Sequence, residues 1–330
     1  MEQRPFARLG RQVSVIGLGT WQLGGDWGDV GDDTALEVLA ASVDGGVNFF
    51  DTADVYGDGR SERLIARFLH DNRPDLAGRV FVATKMGRRA EQRPEFFTLD
   101  NFRRWNDRSR ENLRVDRLDL VQLHCPPTAV LSNPSVYDAL DTMVAEGRMA
   151  GYGVSVETCA EALAAIERPN VASVQIIFNA LRLKPLDQVL PAAAERGVAI
   201  IARVPLASGL LSGRFTTDTT FAANDHRAYN RGGEAFDVGE TFSGVDFETG
   251  VQAAHDFAAL LPEGMTPAQG ALRWVIDQFG VTTVIPGASK PYQAKANAAV
   301  AGLPPLSADT LNKVRDLYDR ELRGAVHHRW

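Results

Sequence analysis

The chain predicts an α/β fold, a closed (β/α)8 barrel, and three observations lead there. Eight short apolar runs recur along the 330 residues, and each is followed by a stretch of helical character. Strand–helix alternation implies a parallel sheet, and eight units suit a sheet closed on itself. No shift of composition marks a second domain, so residues 1–330 are read as one unit. Finally, three early runs end on ionisable residues. A barrel explains this, because the C-terminal ends of its strands open onto one rim.

The elements follow in order. FARLG and RQVSV predict an N-terminal β-hairpin turning near Gly10, and VIGLG (15–19) the first barrel strand. A helix at about 33–45 leads to NFFD (48–51), and a helix at about 60–70 to VFVATK (80–85). A helix at about 98–114 precedes DLVQLH (119–124), and one at about 135–147 precedes YGVSV (152–156). A helix from Cys159, VQIIF (174–178), a helix at 186–196 and VAIIARV (198–204) continue the rhythm. It closes with a helix at 266–279, TTVIPG (282–287) and a helix from Pro291.

One interval breaks the pattern. Residues 205–248 form a long connection after the seventh strand, rich in Gly, Thr, Asn and Asp beyond 212, with helical character returning at about 249–261. Long irregular insertions are usually functional or disordered. Leaving a strand's C-terminal end, this one should overhang the pocket. Residues 307–330 predict an additional C-terminal helix and a tail, AVHHRW, expected to fray, with a specificity loop as the rival reading.

Composition bounds the function. Net charge is −7, from 35 Lys+Arg against 42 Asp+Glu, which argues against general nucleic-acid binding. MEQRPFARLG lacks the apolar core of a secretion signal, and no run reaches the roughly 20 apolar residues of a membrane span. Two cysteines, Cys125 and Cys159, are too few and too far apart for a zinc knuckle or disulfide framework, so a reducing cytoplasm is the expected location.

The chemistry starts from four residues. NFFD ends on Asp51, VFVATK on Lys85 and DLVQLH on His124, while Tyr56 follows in DTADVYG. A phenol is a poor acid at neutral pH, with an ordinary pKa of about 10. A neighbouring ammonium favours phenolate. Lys85 would supply that charge, Asp51 would hold Lys85, and His124 would hydrogen-bond the incoming oxygen. This fits proton donation during carbonyl reduction. None of the four delivers hydride, so a cofactor is required.

These segments resemble the aldo-keto reductase family over essentially the whole chain. RLGRQVSVIGLGTWQLGG (8–25) is similar to the family's opening hairpin and first strand, and DTADVYGDGRSE (51–62) to its D-T-A-x-x-Y-G motif. ATK (83–85), LVQLH (120–124), GVS (153–155), PLASGLLSGRF (205–215), TPAQGALRW (266–274) and VIPGASKPYQAKAN (284–297) follow in the family's order. The resemblance implies a TIM barrel that reduces aldehydes and ketones with NAD(P)H and no metal. The implied catalytic tetrad is Asp51, Tyr56, Lys85 and His124.

The same resemblance implies the cofactor residues. Ser155 and Gln175 match the residues that hold the nicotinamide carboxamide, although Val156 replaces the family's usual Asn. Arg203 stands where many members stack a Tyr on the nicotinamide, and a guanidinium plane also stacks. Leu206, Ser208, Gly209 and Leu211 match the loop beside the pyrophosphate, with Arg214 as a phosphate contact. Gly287, Ala288, Ser289, Lys290, Gln293 and Asn297 match the adenosine-phosphate end. Gln293 replaces a common Arg, so Lys290 carries the preference for NADPH, with NADH as the alternative.

Competing readings are simpler. Asp51 and Lys85 alone would be a structural ion pair, and His124 alone a core histidine. Trp21 and Trp27 follow the first strand and are read as lining the substrate pocket. Cys125 is expected to be a small buried residue rather than a redox thiol. No G-x-G-x-x-G follows a strand, which disfavours a Rossmann fold. The reading is an NADPH-dependent carbonyl reductase acting on a small-molecule carbonyl or sugar. The alternatives are an NAD(P)+-dependent sugar or polyol dehydrogenase and a cofactor-binding regulatory subunit. Neither substrate nor oligomeric state is legible.

Overall fold

A computed structural model describes residues 1–25, 30–223 and 225–330. A two-stranded antiparallel hairpin comes first, β1 (Gln3–Phe6) and β2 (Arg11–Ser14), turning through Gly10 in left-handed backbone at φ 61°. The strands that follow are β3 (Leu18–Gly19), β4 (Phe49–Asp51), β5 (Phe81–Met86), β6 (Leu120–His124), β7 (Tyr152–Ser155), β8 (Val171–Ile177), β9 (Ala199–Arg203) and β10 (Thr283–Val284). Among the described residues these eight pair in sequence order, all parallel. Parallel bridges Ile16↔Val284 and Gly19↔Gly287 join the first strand to the last. The sheet is therefore the expected (β/α)8 TIM barrel.

The first and last strands are shorter than the apolar runs suggested. At this seam the backbones approach closely: a Cβ on Gly19 would lie 2.9 Å from the carbonyl oxygen of Ile285. The seam is held by a few bonds, Gly17 N–H to Val284 O at 2.8 Å and Val284 N–H to Val15 O at 3.0 Å.

Helices cover the outside at Asp32–Asp44, Arg60–Arg67, Leu99–Leu113, Pro134–Ala145, Cys159–Ile166, Val189–Arg196, Pro267–Ile276 and Pro291–Ala299. Several of their starts carry side-chain caps. Thr158 accepts from the Glu161 N–H and Thr266 from the Gln269 N–H, each in a reciprocal capping box. Inside the barrel, the end opposite the rim is closed by the hairpin. Phe6 packs against Phe49 and Phe81 at 6.4 and 5.2 Å, and those two rings stack at 5.5 Å. This apolar floor leaves the other end of the barrel open to a cavity.

The connection after β9 folds into one layer across that end. It contains short helical turns at Ala207–Ser212, His226–Tyr229, Val238–Glu240 and Phe242–Gly244, and the helix Phe247–Ala259 follows. Phe215, Phe221, Phe242 and Phe247 form its own apolar cluster, with ring separations of 5.0–6.3 Å.

The tail corrects the expectation of fraying. After the helix Ala308–Glu321 the chain continues in short turns, and Trp330 is only 5% exposed. Its indole lies under the Arg182 guanidinium at 3.8 Å and donates a hydrogen bond to Asp237 Oδ1 at 3.2 Å. A large aromatic surface with a satisfied N–H gives the tail reason to dock.

Candidate active site

Strand register gathers the ionisable residues. Asp51 ends β4, Lys85 lies one residue before the end of β5, and His124 ends β6 beside Ser155, which in turn pairs with Gln175. Tyr56 sits on the turn after β4. That turn passes through Gly57, Asp58 and Gly59, all at positive φ. It is pressed against the segment Trp21–Gly24, so a Cβ on Gly57 would come 2.1 Å from Gly24 O. The chain therefore holds Tyr56 by backbone contact, and Gly is required there.

The four side chains meet. Lys85 Nζ donates to Asp51 Oδ1, to the Thr52 carbonyl at 3.0 Å and to Tyr56 Oη at 3.3 Å. The other Asp51 oxygen accepts from Gln175 Nε2 at 2.7 Å and Gln122 Nε2 at 3.1 Å. His124 stands edge-on to the Tyr56 ring at 5.9 Å, and Trp21 stacks on it at 6.0 Å. Burial opposes the Lys85 charge, but Asp51 and Tyr56 outweigh it, so Lys85 is held above the ordinary lysine value. Burial, with Arg88, Lys85 and Arg203 nearby, keeps His124 far below its ordinary value and therefore neutral.

The phenol departs from the sequence expectation. Burial raises the Tyr56 pKa more than Lys85 lowers it, and Asp51 adds to the rise. Lys85 thus offsets a desolvation cost rather than bringing the phenol below its solution value. Tyr56 is protonated at neutral pH and hydrogen-bonded to an ammonium.

A cavity of about 450 Å3 opens from Asp51, Tyr56 and His124 past Ser155 and Gln175 to Arg203, Leu206, Ser208 and Gly209, and on to Gly287. Leu211 and Ala288 are buried beside this path, at 0% and 2% exposure, and Arg214 is exposed without lining it. Ser208 Oγ donates to Glu240 O at 2.8 Å and accepts from Phe242 N–H at 3.1 Å, tying the two loops together. Gln293 Oε1 accepts from the Ser289 and Lys290 N–H groups at 2.9 and 3.1 Å, capping the helix Pro291–Ala299. Asn297 donates to Gly287 O at 3.3 Å, and Lys290 is exposed at the helix start.

Arg203 is placed differently from a freely stacking plane. It bridges Glu157 at 2.8 Å and Glu240, and donates to the Val156 carbonyl at 3.0 Å. The residue at the position of the usual Asn thus meets Arg203 through its backbone carbonyl. Cys125, Glu157 and Glu240 bring their ligand atoms within 4.8 Å of one another, as a metal site would, but the Arg203 guanidinium touches all three. Burial pushes the Cys125 thiol up to about 12, so it is not a reactive thiolate, yet the residue borders the cavity rather than lying wholly inside the core.

The other end of the cavity is aromatic. Trp21 packs against His226 at 5.6 Å and Phe236 at 6.1 Å, and Arg227, Tyr229 and Phe236 from the long loop line the mouth. Trp27 lies outside the described residues. Sequence reasoning missed Gln22, Arg88, Gln122, Glu157 and Glu240. Gln122 was findable: it is the one amide in an apolar strand, two residues before His124 and so on the same face. Glu240 lies in an irregular loop where no periodicity points to it.

The profile of the Aldo/keto reductase family matches residues 15–319. An uncharacterized oxidoreductase of Mycobacterium tuberculosis, Rv2298, is 33% identical over 318 residues, covering 92% of this chain and 89% of its own. The aldo-keto reductase YhdN of Bacillus subtilis is 27% identical over 307 residues, with the same 92% and 89% coverage. The glycerol dehydrogenase AKR11B4 of Gluconobacter oxydans superposes with a TM-score of 0.76 at 27% identity, covering 97% of this chain and 96% of that one. The chain belongs to the aldo/keto reductase family and is an NAD(P)H-dependent oxidoreductase. No described helix is long and apolar enough to cross a membrane.

The cavity fits a nicotinamide cofactor on its own terms. His124 Nδ1, Arg203 Nε and Gln22 Oε1 are buried polar atoms with no partner among the described residues, and all three residues line it. The absent side chain of Gly287 leaves a floor on which a Cβ would come 2.3 Å from the Gln22 amide.

Asp54, beside Tyr56, is 0% exposed, and among the described residues its carboxylate oxygens have no hydrogen-bond partner of good geometry, the Val55 N–H lending only a weak one. Arg89 Nε sits 3.4 Å away. Burial and then Glu62 push its pKa up to about 7, against Arg89 and Arg108. An unfolded Asp titrates near 3.9, so between about pH 4 and 7 the folded state holds the extra proton and stability falls as pH rises. Asp54→Asn should therefore compare more favourably with wild type at pH 8 than at pH 5, by about 1–3 kcal/mol. Urea unfolding at both pH values checks this, and an equal difference at the two would contradict it.

Proposed function

We propose that this chain reduces an aldehyde or ketone to the alcohol, using NADPH, with Tyr56 as proton donor. The observation that carries the reading is the Lys85 ammonium, which bridges buried Asp51 and the Tyr56 hydroxyl at 3.3 Å. When bound, the reduced nicotinamide supplies hydride to the carbonyl carbon. Tyr56 then gives its proton to the developing alkoxide, and the neighbouring ammonium stabilises the phenolate left behind. Neutral His124 orients the substrate oxygen by hydrogen bonding and brings no charge of its own. Gln122 and Gln175 keep Asp51 oriented, so Lys85 stays charged through the proton transfer. Ser155, Gln175 and Arg203 would hold the nicotinamide end. Leu206, Ser208, Gly209 and Leu211 would run beside the pyrophosphate, and Gly287 to Asn297 would take the adenosine phosphate. A buried, complete proton relay supports turnover over a regulatory subunit.

A second reading has a specific observation behind it. The cavity lining combines aromatic faces, from Trp21, Tyr229 and Phe236, with charge from Arg88 and Glu240. Aromatic faces suit the C–H side of a polyol, and charges its hydroxyls. Together with the likeness to a glycerol dehydrogenase, this favours a small polyol or sugar as the alcohol partner, oxidised in the reverse direction with Tyr56 as base.

Tyr56→Phe should cut reductase turnover by at least the roughly 10²–10⁴-fold of general acid catalysis, with NADPH affinity nearly unchanged. An aldehyde, ketone and sugar panel followed at the NADPH absorbance measures it, and near-wild-type turnover would rule the assignment out.

Lys290 supplies charge at the start of the helix Pro291–Ala299, where Gln293 is occupied as a cap. One charge-assisted contact is worth about 1.5–3 kcal/mol, or roughly 10–100-fold in affinity. Lys290→Ala should weaken NADPH by about that factor and leave NADH nearly untouched in calorimetric titration. Equal weakening of both cofactors would contradict a 2′-phosphate contact.

A further inference from the structure

We propose that Trp330 is a positioning residue for Arg203, acting through the Asp237–Glu240 turn, so that the tail sets cofactor affinity from outside the cavity. This rests on the reading that Arg203 faces the bound nicotinamide.

The indole is held by a cation on one face and by loop backbone close against its ring. Arg182 covers one at 3.8 Å. The backbone of the long loop closes on the ring elsewhere: a Cβ on Gly244 would come 2.2 Å from indole Cη2, and one on Gly239 3.0 Å from Cζ2. Arg329 adds a hydrogen bond to Gly244 O at 3.1 Å. Trp330 Nε1 donates to Asp237 Oδ1, and the same oxygen accepts the Gly239 N–H at 2.7 Å, so the indole is joined to the cap of the turn Val238–Glu240.

That turn presents Glu240 to Arg203. Ser208 fixes the Glu240 carbonyl from the β9 side, while Trp330 and Asp237 fix the start of the turn from the tail side. The second layer repeats the arrangement. Arg182, stacked on Trp330, donates to the Glu157 carbonyl, and the Glu157 carboxylate is the other partner of Arg203. Both carboxylates that aim the Arg203 guanidinium are thus braced by segments that converge on Trp330. The guanidinium cannot turn toward or away from the cavity without moving Glu240 or Glu157.

The test is calorimetric titration of NADPH, with thermal melts, on wild type, Trp330→Ala, Trp330→Phe, Glu240→Gln and the Trp330→Ala/Glu240→Gln double variant. Trp330→Ala should raise the NADPH dissociation constant about 10-fold, and Trp330→Phe, which keeps the ring but loses the N–H, about 3-fold. Glu240→Gln should weaken binding about 10-fold as well, and the double variant should be no weaker than the worse single to within about 3-fold, because both changes remove one pathway. If Trp330→Ala fails to fold, Trp330→Phe and its own double with Glu240→Gln decide the matter. Unchanged affinity in the Trp330 variants with Glu240→Gln weakened would overturn the strut and leave Arg203 at the cofactor. Unchanged affinity in Glu240→Gln would overturn the Arg203 reading itself, and the proposal with it. Losses that multiply in the double variant would show Trp330 acting by another route and would also overturn the proposal.

Discussion

The buried ion pair between Asp51 and Lys85 is the constraint around which the rim is organised. The two side chains are 4% and 1% exposed, so neither charge is solvated by water. Such a pair is stable only when its remaining hydrogen-bonding capacity is met. Here Gln122, Gln175, the Thr52 carbonyl and Tyr56 meet it. Removing one partner would strand the other, at a cost of about 3–5 kcal/mol. Tyr56 is therefore tied into a unit that fixes both its position and its charge environment.

Stability and chemistry are separated along the barrel axis. The hairpin plugs one end with aromatic rings, and the polar network occupies the other, where strand ends and loops can vary. A second charge cluster, Arg203 between Glu157 and Glu240, borders the same cavity. It differs in origin, since Glu240 comes from the long loop and not from a barrel strand. The loop is consequently part of the site's electrostatics as well as its roof.

The barrel was legible because buried parallel strands are written as short apolar runs, and an ionisable residue ending such a run stands out. Asp51, Lys85 and His124 were found that way, and Tyr56 by its closeness to Asp51. The sign of the net shift on Tyr56 was not legible: burial is a property of the assembled cavity, and it exceeds the effect of the one neighbouring charge. Glu240 and Trp330 were hidden for a related reason. Their partners, Arg203, Arg182 and Asp237, are distant in sequence or sit in loops without periodicity. The tail reads as a fraying end because terminal segments usually are one, while here one indole carries its docking.

The measurement that bears most directly on the account is the titration of Tyr56 itself. With tyrosine labelled at Cζ and Tyr56 assigned by its Phe variant, carbon-13 spectra across alkaline pH report the phenol in wild type and in Lys85→Met. Removing the ammonium leaves desolvation and the Asp51 charge unopposed, so Tyr56 should titrate at higher pH in Lys85→Met than in wild type. An unchanged or lower titration point would show that Lys85 does not govern the proton on Tyr56.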